Sequence, residues 1–455
     1  MTIEAINPAT EEVLDTYEAL DNGQLKGRIN KAHQAFRNWK KVPFEERARL
    51  MMAVAAELEK NADEYAEIAS REMGKTFSSA VAEVKKCAWV CEYYAQEAAV
   101  FLSDEMIETD ARKSYISYQP LGVVLAVMPW NYPYWQVFRF AAPALMAGNT
   151  ALLKHASNVP GCAQAIERIF RRAGFPEGSL TNLHIPSDMV KSVIEDRFVR
   201  AVTLTGSEKA GSIVASQAGA QIKKTVLELG GSDPYIILDD ADLDQAAAIC
   251  AEGRLKNNGQ SCIGAKRFII VESVYDSFLE KFKSQMSEAV MGDPFDEKTT
   301  LGPLARPDLR ETLHRQVSKS IEKGAKCIMG GEIPNGPGAY YPATILTDIK
   351  PGMPAYEEEL FGPVAAVFKV KDEAAAIELA NDTDFGLGAA VFTKNLARGE
   401  RIAKEDIEAG SCFVNDMVNS DPRLPFGGIG ISGYGRELSA LGIREFVNIK
   451  TVSIA

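Results

Sequence analysis

The sequence is poor in the residues that build disulfide frameworks and metal sites. Only 7 of its 455 residues are cysteine and 4 are histidine. The cysteine number is odd, no C-x-x-C pair occurs and the histidines lie far apart, so we predict neither disulfides nor a metal site. The N-terminal stretch MTIEAINPATEEV carries early acids and no apolar core, unlike a secretory signal. These features predict a reduced, metal-free protein of the cytoplasm.

Basic residues and long apolar runs are also scarce. The 50 Lys and Arg are scattered singly and outnumbered by 62 Asp and Glu, which gives a formal net charge of −12. A chain this acidic repels phosphate backbones, so nucleic acid is not an expected partner. The most apolar stretch starts at Leu121, but Pro129, Pro133 and Arg139 interrupt it before it reaches the length of a membrane span. No membrane partner is therefore expected.

What is present is a regular alternation of helix and strand patterns, in a chain long enough for two or three domains. Between Glu46 and Phe101 apolar residues recur at helical spacing, which predicts two or three long amphipathic helices. Repeated β-α-β units then predict a mostly parallel sheet covered on both faces. Its strands are expected at 122–128, 150–154, 180–184, 201–205 and 225–229, and its helices at 134–147, 160–173 and from Glu208. A second such region runs from Tyr235 to about Gly410, so the predicted fold class is α/β with two parallel-sheet domains.

Two further segments predict a small β arm. Residues 113–118 (KSYISY) alternate polar and apolar side chains, as an exposed strand does. The tail REFVNIKTVSIA has the pattern of another strand. We predict that the tail pairs with the segment near Ser114 across a subunit boundary.

Three glycines near the C-terminus match a dinucleotide-binding pattern without its context. Gly428, Gly430 and Gly433 form G-x-G-x-x-G, but this fingerprint needs a preceding strand, a following helix and an acid about 20 residues later. Here Pro425 precedes the glycines, and the chain ends about 22 residues after them. We predict a glycine loop near the functional site instead.

Several positions at predicted strand ends or in loops are candidates for chemistry. Gly206 and Ser207 follow a strand, where the first N–H groups of the next helix could bind an anion or merely form an ordinary cap. Cys262 lies in the irregular loop NGQSC, whereas most lone cysteines are small hydrophobic residues. Glu228 ends an apolar strand in LELGG, where desolvation would suit a general base; a salt-bridged strand end is the alternative. Asn131 could donate to an oxyanion or form a turn.

Seven short motifs occur in a fixed order between positions 129 and 428: PWN, LKHAS, TGS, ELGG, GQSC, ELFGP and PFGG. The combination resembles the aldehyde dehydrogenase superfamily, and the resemblance extends over essentially the whole chain, including the opening NPATEE. ELGG followed by GQSC and EELFGP is highly specific to that family. The resemblance implies an aldehyde dehydrogenase-like fold and a homodimer or homotetramer.

The same resemblance implies a division into three parts. The cofactor-binding domain is expected at residues 1–110 and 122–231, and the catalytic domain at 232–430. The oligomerisation arm and C-terminal tail are expected at 111–121 and 431–455.

The resemblance also implies oxidation of an aldehyde to a carboxylic acid through a covalent intermediate. The thiolate of Cys262 would add to the aldehyde carbon to give a thiohemiacetal, and loss of hydride would leave a thioester. The side chain of Asn131 and the backbone N–H of Cys262 would hold the oxyanion. Glu228 would activate the water that hydrolyses the thioester.

A nicotinamide cofactor would be bound by residues from several of these motifs. By resemblance, Glu359 bonds the nicotinamide ribose, Phe361 packs near the ring, and Lys154 reaches the adenosine ribose. Gly206 and Ser207 would lie by the pyrophosphate. The expected cofactor residues are Trp130, Lys154, His155, Ser157, Gly206, Ser207, Glu359 and Phe361.

The choice of cofactor is predicted from the residue three positions after Lys154. Members of the family that prefer NAD often carry an acid there, whereas this chain has Ser157. A carboxylate would repel a 2′-phosphate, while Lys154, His155 and Ser157 offer donors to one. We therefore predict NADP, with NAD less favoured.

The expected substrate is a short aldehyde with a distal carboxylate. Arg139 lies eight residues after Asn131 and one helical turn after Trp135. Members that oxidise succinate semialdehyde carry an arginine at this spacing, where it binds the carboxylate; a helix-surface ion pair is the alternative. Lys256 takes the place of their second arginine, and Ser420 is matched to their serine before PFGG.

We therefore predict NADP-dependent oxidation of succinate semialdehyde to succinate. The alternatives are a dehydrogenase for glutarate semialdehyde or a neutral aliphatic aldehyde and, in a different class, a non-catalytic cofactor-binding structural protein. The presence of Cys262, Glu228 and Asn131 together argues against the last. Gly264 stands where some members carry a second cysteine as a redox switch, so no such switch is expected.

Overall fold

The computed structural model describes residues 2–455. The strands are β1 (Thr2–Ile6), β2 (Val13–Glu18), β3 (Glu105–Ile107), β4 (Lys113–Pro120), β5 (Val123–Met128), β6 (Thr150–His155), β7 (Leu180–Asn182), β8 (Val199–Thr205), β9 (Lys224–Glu228), β10 (Pro234–Ile237), β11 (Arg267–Val271), β12 (Lys326–Met329), β13 (Thr344–Thr347), β14 (Val364–Val370), β15 (Phe385–Gly386), β16 (Gly388–Phe392), β17 (Ser411–Val414), β18 (Ile429–Gly430), β19 (Gly433–Tyr434) and β20 (Val447–Ile454). The helices are α1 (Asn22–Trp39), α2 (Phe44–Lys60), α3 (Ala62–Met73), α4 (Phe77–Phe101), α5 (Trp135–Met146), α6 (Pro160–Arg172), α7 (Val190–Glu195), α8 (Glu208–Ala220), α9 (Leu243–Leu255), α10 (Tyr275–Ser287), α11 (Pro307–Glu322), α12 (Pro354–Glu357), α13 (Glu373–Asn381), α14 (Leu396–Arg401) and α15 (Ser439–Arg444).

The N-terminal part of the chain is helical, as its apolar spacing predicts. Three helices, α2 to α4, occupy the region between Glu46 and Phe101, and this prediction is confirmed. Helix α1 was not predicted, although its start is marked by a capping box. The Asp21 side chain accepts from the Gln24 N–H at 2.8 Å, and the Gln24 side chain accepts from the Asp21 N–H at 2.9 Å.

The first large sheet has the order β19-β9-β8-β5-β6-β7. Strands β5 to β9 pair in parallel, and β19 pairs antiparallel with β9. All five strands predicted for this sheet are confirmed. Because β5 lies between β6 and β8, the chain winds outwards in both directions from that point. The carboxyl ends of β5 and β8 therefore border the crevice in which such sheets bind ligands.

The second large sheet has the order β12-β13-β14-β11-β10-β16-β17 and is parallel except for β12. Its central strands β10, β11 and β16 are buried along their whole length, which agrees with their continuous apolar sequences. Strand β10 begins shortly after β9 ends. The short ELGG connection thus runs from the carboxyl end of the first sheet directly to the amino end of the second.

A third, antiparallel sheet has the order β20-β4-β3 and forms the predicted arm. The predicted partners are correct, because Ser453 lies opposite Ser114. The prediction that they meet across a subunit boundary is wrong, since β20 pairs with β4 of its own chain along all eight residues. The chain returns to this position because Phe446 packs edge-to-face on Phe140, and the Phe446 carbonyl accepts from Asn149 Nδ2 at 2.9 Å.

The glycine-rich segment near the C-terminus lies beside the first sheet. Gly433 in β19 is opposite Glu228 in β9, and β18 pairs with β15. The glycines are therefore near the functional site, as predicted, but only Gly428 lies in a loop, whereas Gly430 and Gly433 lie in two short strands. Residues 431–455 divide between the first sheet and the arm; the domain boundaries given above stay a prediction.

Candidate active site

The ends of the first sheet bring three groups of predicted site residues to one edge. Asn131 follows β5, Gly206 and Ser207 follow β8, and Glu228 ends β9. Immediately beyond Glu228, the backbone passes very close to the loop that carries Cys262. A Cβ atom on Gly231 would lie 2.6 Å from the Cys262 carbonyl oxygen, so only glycine permits this approach.

The Cys262 loop is held in an irregular conformation by side-chain amides. Helix α9 ends before Lys256, and Asn257 and Asn258 both adopt positive φ angles of 57°. Asparagine tolerates this left-handed conformation better than most residues. Asn257 Nδ2 donates to the Asn131 carbonyl at 2.8 Å and to the Gln260 carbonyl at 3.0 Å. The loop and the segment after β5 are thereby joined.

Lys266 fixes the backbone of the nucleophile itself. Its buried ammonium donates to the carbonyls of Ser261 and Cys262 at 2.8 and 2.7 Å. The same ammonium forms a 3.0 Å ion pair with Glu359, and the Gly231 N–H donates to Glu359 at 3.2 Å. Sequence reasoning did not identify Lys266, because none of the family motifs includes it.

The Cys262 thiol lies on the wall of a cavity and is partly buried. Burial raises the pKa of this thiol to about 12, and the positive charges of Arg139 and Lys266 oppose the rise. The thiol is therefore protonated at neutral pH in this structure. A nucleophilic role requires a base, or a change in its surroundings that favours the thiolate.

Glu228 is a buried carboxyl group whose raised pKa suits a general base. Neither of its carboxylate oxygens has a hydrogen-bond partner within residues 2–455. Burial raises its pKa well above the usual range, and the neighbouring Glu437 raises it further, against Arg139 and Arg436. The alternative reading, a salt-bridged strand end, is not what the geometry shows: no ion pair of Glu228 occurs in the described chain.

Asn131 is buried next to the Cys262 loop. Its Nδ2 donates to the Gln260 carbonyl at 3.2 Å, while its Oδ1 has no partner in the described residues. The side chain thus faces the loop two residues before the thiol. Its role with an oxyanion stays a prediction.

The cavity at Cys262 has a volume of about 250 Å³. It is lined by all four predicted substrate residues, Trp135, Arg139, Lys256 and Ser420, together with Lys86. Lys86 comes from helix α4, far from every motif, and sequence reasoning missed it. Its ammonium donates to Ser420 Oγ at 2.9 Å and to Asn419 Oδ1 at 3.2 Å.

Arg139 is a buried residue and not part of a surface ion pair. Its guanidinium pairs with the buried carboxylate of Glu437 and lies 4.4 Å from the ring centroid of Phe426. One guanidinium nitrogen is 3.5 Å from Thr205 Oγ1. Its charge is therefore largely compensated within the protein.

The predicted adenosine-side residues lie at the ends of β6 and β8. Lys154 is buried, and its ammonium reaches only the hydroxyl of Ser187, at 3.5 Å; Ser157 is exposed. Ser207 caps helix α8 by accepting from the Ala210 N–H at 3.3 Å. The first turn of that helix thus opens towards the switch point of the sheet, where a phosphate is favourably bound.

His155 was predicted to offer a donor to a 2′-phosphate, and its surroundings do not fit that role. Its ring is buried, Nε2 lies 2.8 Å from the Pro133 carbonyl, and Nδ1 accepts from the Ala156 N–H at 2.9 Å. Burial lowers its pKa to about 4, so the ring is neutral. Both nitrogens are engaged by backbone, which fits a residue that fixes the loop and not one that donates to a 2′-phosphate.

The predicted nicotinamide-side residues contact one another across the two sheets. Trp130, after β5, packs edge-to-face on Phe361 with ring centroids 5.8 Å apart. Phe361 follows Glu359, which is held by Lys266. Contacts thus connect the segment after β5 to the loop that carries Glu359 and, through Lys266, to the Cys262 backbone.

Residues 2–455 contain neither a metal-binding cluster nor a membrane-spanning helix. No group of three or more His, Cys, Asp or Glu side chains there is arranged to hold a metal ion. No helix in the same part of the chain is long and apolar enough to cross a membrane.

Known proteins resemble this chain along its whole length. The family model described as the aldehyde dehydrogenase family matches residues 1–452. A Synechocystis sp. protein named "Probable succinate-semialdehyde dehydrogenase NADP(+)" is 51% identical over 455 residues, with 100% of both chains covered. A Mycobacterium bovis protein named succinate-semialdehyde dehydrogenase NADP(+) 1 is 49% identical over 458 residues, again with 100% of both covered.

A solved structure extends the similarity to the fold. Succinic semialdehyde dehydrogenase from Streptococcus pyogenes, in complex with NADP+ as the cofactor, matches with a TM-score of 0.97 at 43% identity over 99% of each chain. This chain therefore belongs to the aldehyde dehydrogenase family. The predicted α/β fold class is confirmed, and the substrate is a small-molecule aldehyde.

Proposed function

We propose that the protein oxidises succinate semialdehyde to succinate with NADP as the hydride acceptor. The assignment of the substrate rests on the positive charge of the cavity. Lys86, Lys256 and Arg139 all line the cavity at Cys262, and within residues 2–455 only Arg139 has a carboxylate partner. Such unneutralised positive charge favours an aldehyde that brings its own carboxylate. The names of the relatives at about 50% identity point to the same substrate.

The chemistry on the protein follows from the positions of Cys262 and Glu228. Cys262 first loses its proton to a solvent base, and its thiolate then adds to the aldehyde carbon and forms the C–S bond of a thiohemiacetal. The oxyanion of this thiohemiacetal is held by Asn131 and the Cys262 N–H. NADP, when bound, would supply the acceptor for the hydride of this carbon, and Cys262 would then hold the acyl group as a thioester. Glu228 removes a proton from the water that attacks the thioester, and the acid product departs as the thiol is restored.

The residues at the switch point fit NADP. Lys154 has a buried ammonium without a carboxylate partner, and Ser157 adds an exposed hydroxyl where a carboxylate would repel a 2′-phosphate. The capped start of α8 at Ser207 provides N–H groups for the pyrophosphate. We assign Glu359, once it is released from Lys266, to the nicotinamide ribose. The relative solved with NADP+ supports this choice.

The function is tested by initial rates with NADP and with NAD, each with succinate semialdehyde and with butanal, a neutral aldehyde of the same carbon number. A charge-assisted contact contributes about 1.5–3 kcal/mol, so kcat/KM should favour the acid by about tenfold or more. NADP should be preferred, and Ser157→Glu should shift the preference towards NAD. Cys262→Ala should be inactive with every pair.

Other outcomes would contradict separate parts of the proposal. Equal or better turnover of butanal would reject the acidic substrate. Preference for NAD would reject the cofactor assignment. Activity in Cys262→Ala would reject the mechanism, and a wild-type protein inactive with all aldehydes would favour a cofactor-binding structural role.

We propose further that the protein works as a homodimer or homotetramer in the cytoplasm. The arm sheet exposes apolar side chains, with Ile449 62% and Met106 62% exposed, as expected of a surface that a second copy covers. All seven cysteines are free thiols, and a reducing compartment preserves them.

A further inference from the structure

We infer that Lys86 binds the distal carboxylate of the substrate and determines the preference for acidic aldehydes, an assignment that rests on the proposed function. No sequence motif points to this residue. It reaches the cavity because one face of helix α4 forms a wall of it. Ala82, Lys86 and Trp89 follow one another on that face at helical spacing.

Within the described residues, Lys86 has no carboxylate partner, unlike Arg139, and it is partly buried in the cavity wall, unlike the exposed Lys256. Its partners are neutral: Ser420 Oγ at 2.9 Å, Asn419 Oδ1 at 3.2 Å, and the ring of Trp135, whose centroid is 4.4 Å away. No carboxylate of the described chain lies within 4.0 Å of its ammonium. Arg139, by contrast, is paired with Glu437.

The hydrogen-bond geometry leaves two donors for a carboxylate. An ammonium has three N–H donors, and Lys86 uses two of them on Ser420 and Asn419. Ser420 accepts one of these bonds, so its own O–H is free to donate. The third Lys86 N–H and the Ser420 O–H can therefore bind the two oxygens of one carboxylate. This arrangement replaces the arginine fork that Lys256 does not provide.

The surroundings of Lys86 make this binding sensitive to pH. Burial, together with the positive charges of Lys256 and Arg139, lowers the pKa of its ammonium to about 7, against the opposing effects of Cys87 and Asp421. Above neutral pH the free enzyme therefore loses the charge that attracts the substrate. Below it, the charge is present.

The two opposing groups named above, Cys87 and Asp421, keep one charge state over the same range. Burial holds the pKa of Cys87 well above its ordinary value, so this thiol stays neutral, and Arg423 lowers the pKa of Asp421, which stays charged. Glu83 is paired with Lys75 and accepts from two backbone N–H groups. The pH dependence of acid preference thus belongs to Lys86.

The test compares kcat/KM for succinate semialdehyde with that for butanal between pH 6 and 9. The ratio cancels the ionisation of Cys262 and Glu228, which both substrates share. In the wild type the ratio should be high at pH 6 and fall as the pH rises through and above 7. Lys86→Met should lower the ratio about tenfold or more at pH 6 and make it independent of pH.

Two further variants complete the design. Lys86→Arg should keep a high ratio up to pH 9, because a guanidinium stays charged. Lys85→Met is the matched control, since Lys85 is the exposed neighbour on the same helix, and it should behave like the wild type. Turnover of butanal by each variant shows that it is folded.

The outcomes separate this inference from the proposed function. If the wild type prefers the acid but Lys86→Met leaves the ratio and its pH profile unchanged, the Lys86 assignment is overturned. The proposal that the substrate is succinate semialdehyde is then retained. If the wild type shows no preference at any pH, the substrate and the Lys86 assignment are both overturned.

Discussion

Arg139 connects the buried interior of the protein to the substrate cavity. The residue is 1% exposed and pairs with Glu437, which is 3% exposed. Removing one partner of a buried ion pair leaves the other charge desolvated and unpaired, which destabilises a protein far more than loss of a surface pair. Arg139 therefore stabilises the folded protein through Glu437, in addition to any contact with the substrate.

Replacing Arg139 by Met should lower the free energy of unfolding by about 3 kcal/mol or more, because Glu437 stays buried without its partner. The double variant Arg139→Met with Glu437→Gln should recover much of that loss. Denaturant or thermal unfolding of the purified proteins provides the measurement.

The matched control is Arg49→Met, which removes an exposed pair with Glu46 and should change stability by about 1 kcal/mol or less. If Arg139→Met proves as stable as the wild type, the pair with Glu437 is not structural. In that case, the whole charge of Arg139 becomes available to substrate.

Single residues of the site differ in how far the sequence predicts them. Cys262 and Glu228 could be predicted because each lies in a short contiguous motif with an unusual local context. Lys86 and Glu437 could not, because their partners Ser420 and Arg139 are hundreds of residues away in sequence. His155 shows the opposite error: a residue beside a motif lysine has its ring turned inward to backbone groups that no local pattern reveals.

At the scale of elements, the site depends on a connection and a loop that pass within contact distance. The ELGG connection leaves β9 and touches the Cys262 loop before β10 begins. Neither segment is a helix or a strand. The glycines of the first segment permit the close backbone approach, and side-chain amides and the Lys266 ammonium hold the second segment in place. The nucleophile is thus positioned from both sides.

Gly231→Ala should reduce kcat strongly, by about tenfold or more, without unfolding the protein. The added Cβ would lie 2.6 Å from the Cys262 carbonyl oxygen and displace the nucleophile loop, and small misplacements of reacting groups are costly. Steady-state kinetics and the rate of Cys262 alkylation measure the effect.

Gly27→Ala is the control, because an added Cβ in helix α1 meets nothing within 4 Å and should leave activity unchanged. Full activity in Gly231→Ala would show that the Cys262 loop is not held at this contact.

Elements were predicted well where an apolar run or a helical period is long. Strands β5, β6 and β8 and helices α2 to α4 are of this kind. The two-residue strands β18 and β19 were not predicted, because pairing with distant strands, and no local preference, makes them strands. The same limit explains the error over β20: its partner could be inferred from pattern, but the chain to which that partner belongs could not.

At the scale of the whole molecule, the arm is the surface on which assembly is proposed. Ile449 lies on β20 at the edge of the three-stranded sheet and is 62% exposed. An edge strand with apolar side chains is a common site of association between copies.

Ile449→Glu should shift the protein towards monomers, because it places charges on a surface that becomes buried. Light scattering coupled to size-exclusion chromatography measures the mass. Leu396→Glu is the control: Leu396 is 66% exposed at the start of α14, away from the arm, where an acid is well tolerated. Equal masses for all three proteins would place the interface elsewhere or rule out an oligomer.

The closure of the arm by the last strand also affects how the protein is made. Ser114 in β4 contacts Ser453 in β20, which lies 339 positions later in the chain. Strand β9 likewise lacks its partner on one side until β19 has been synthesised. During synthesis, the arm and one edge of the first sheet therefore stay incomplete until residues 433–454 have left the ribosome, whereas the second sheet is complete once residue 414 has left it.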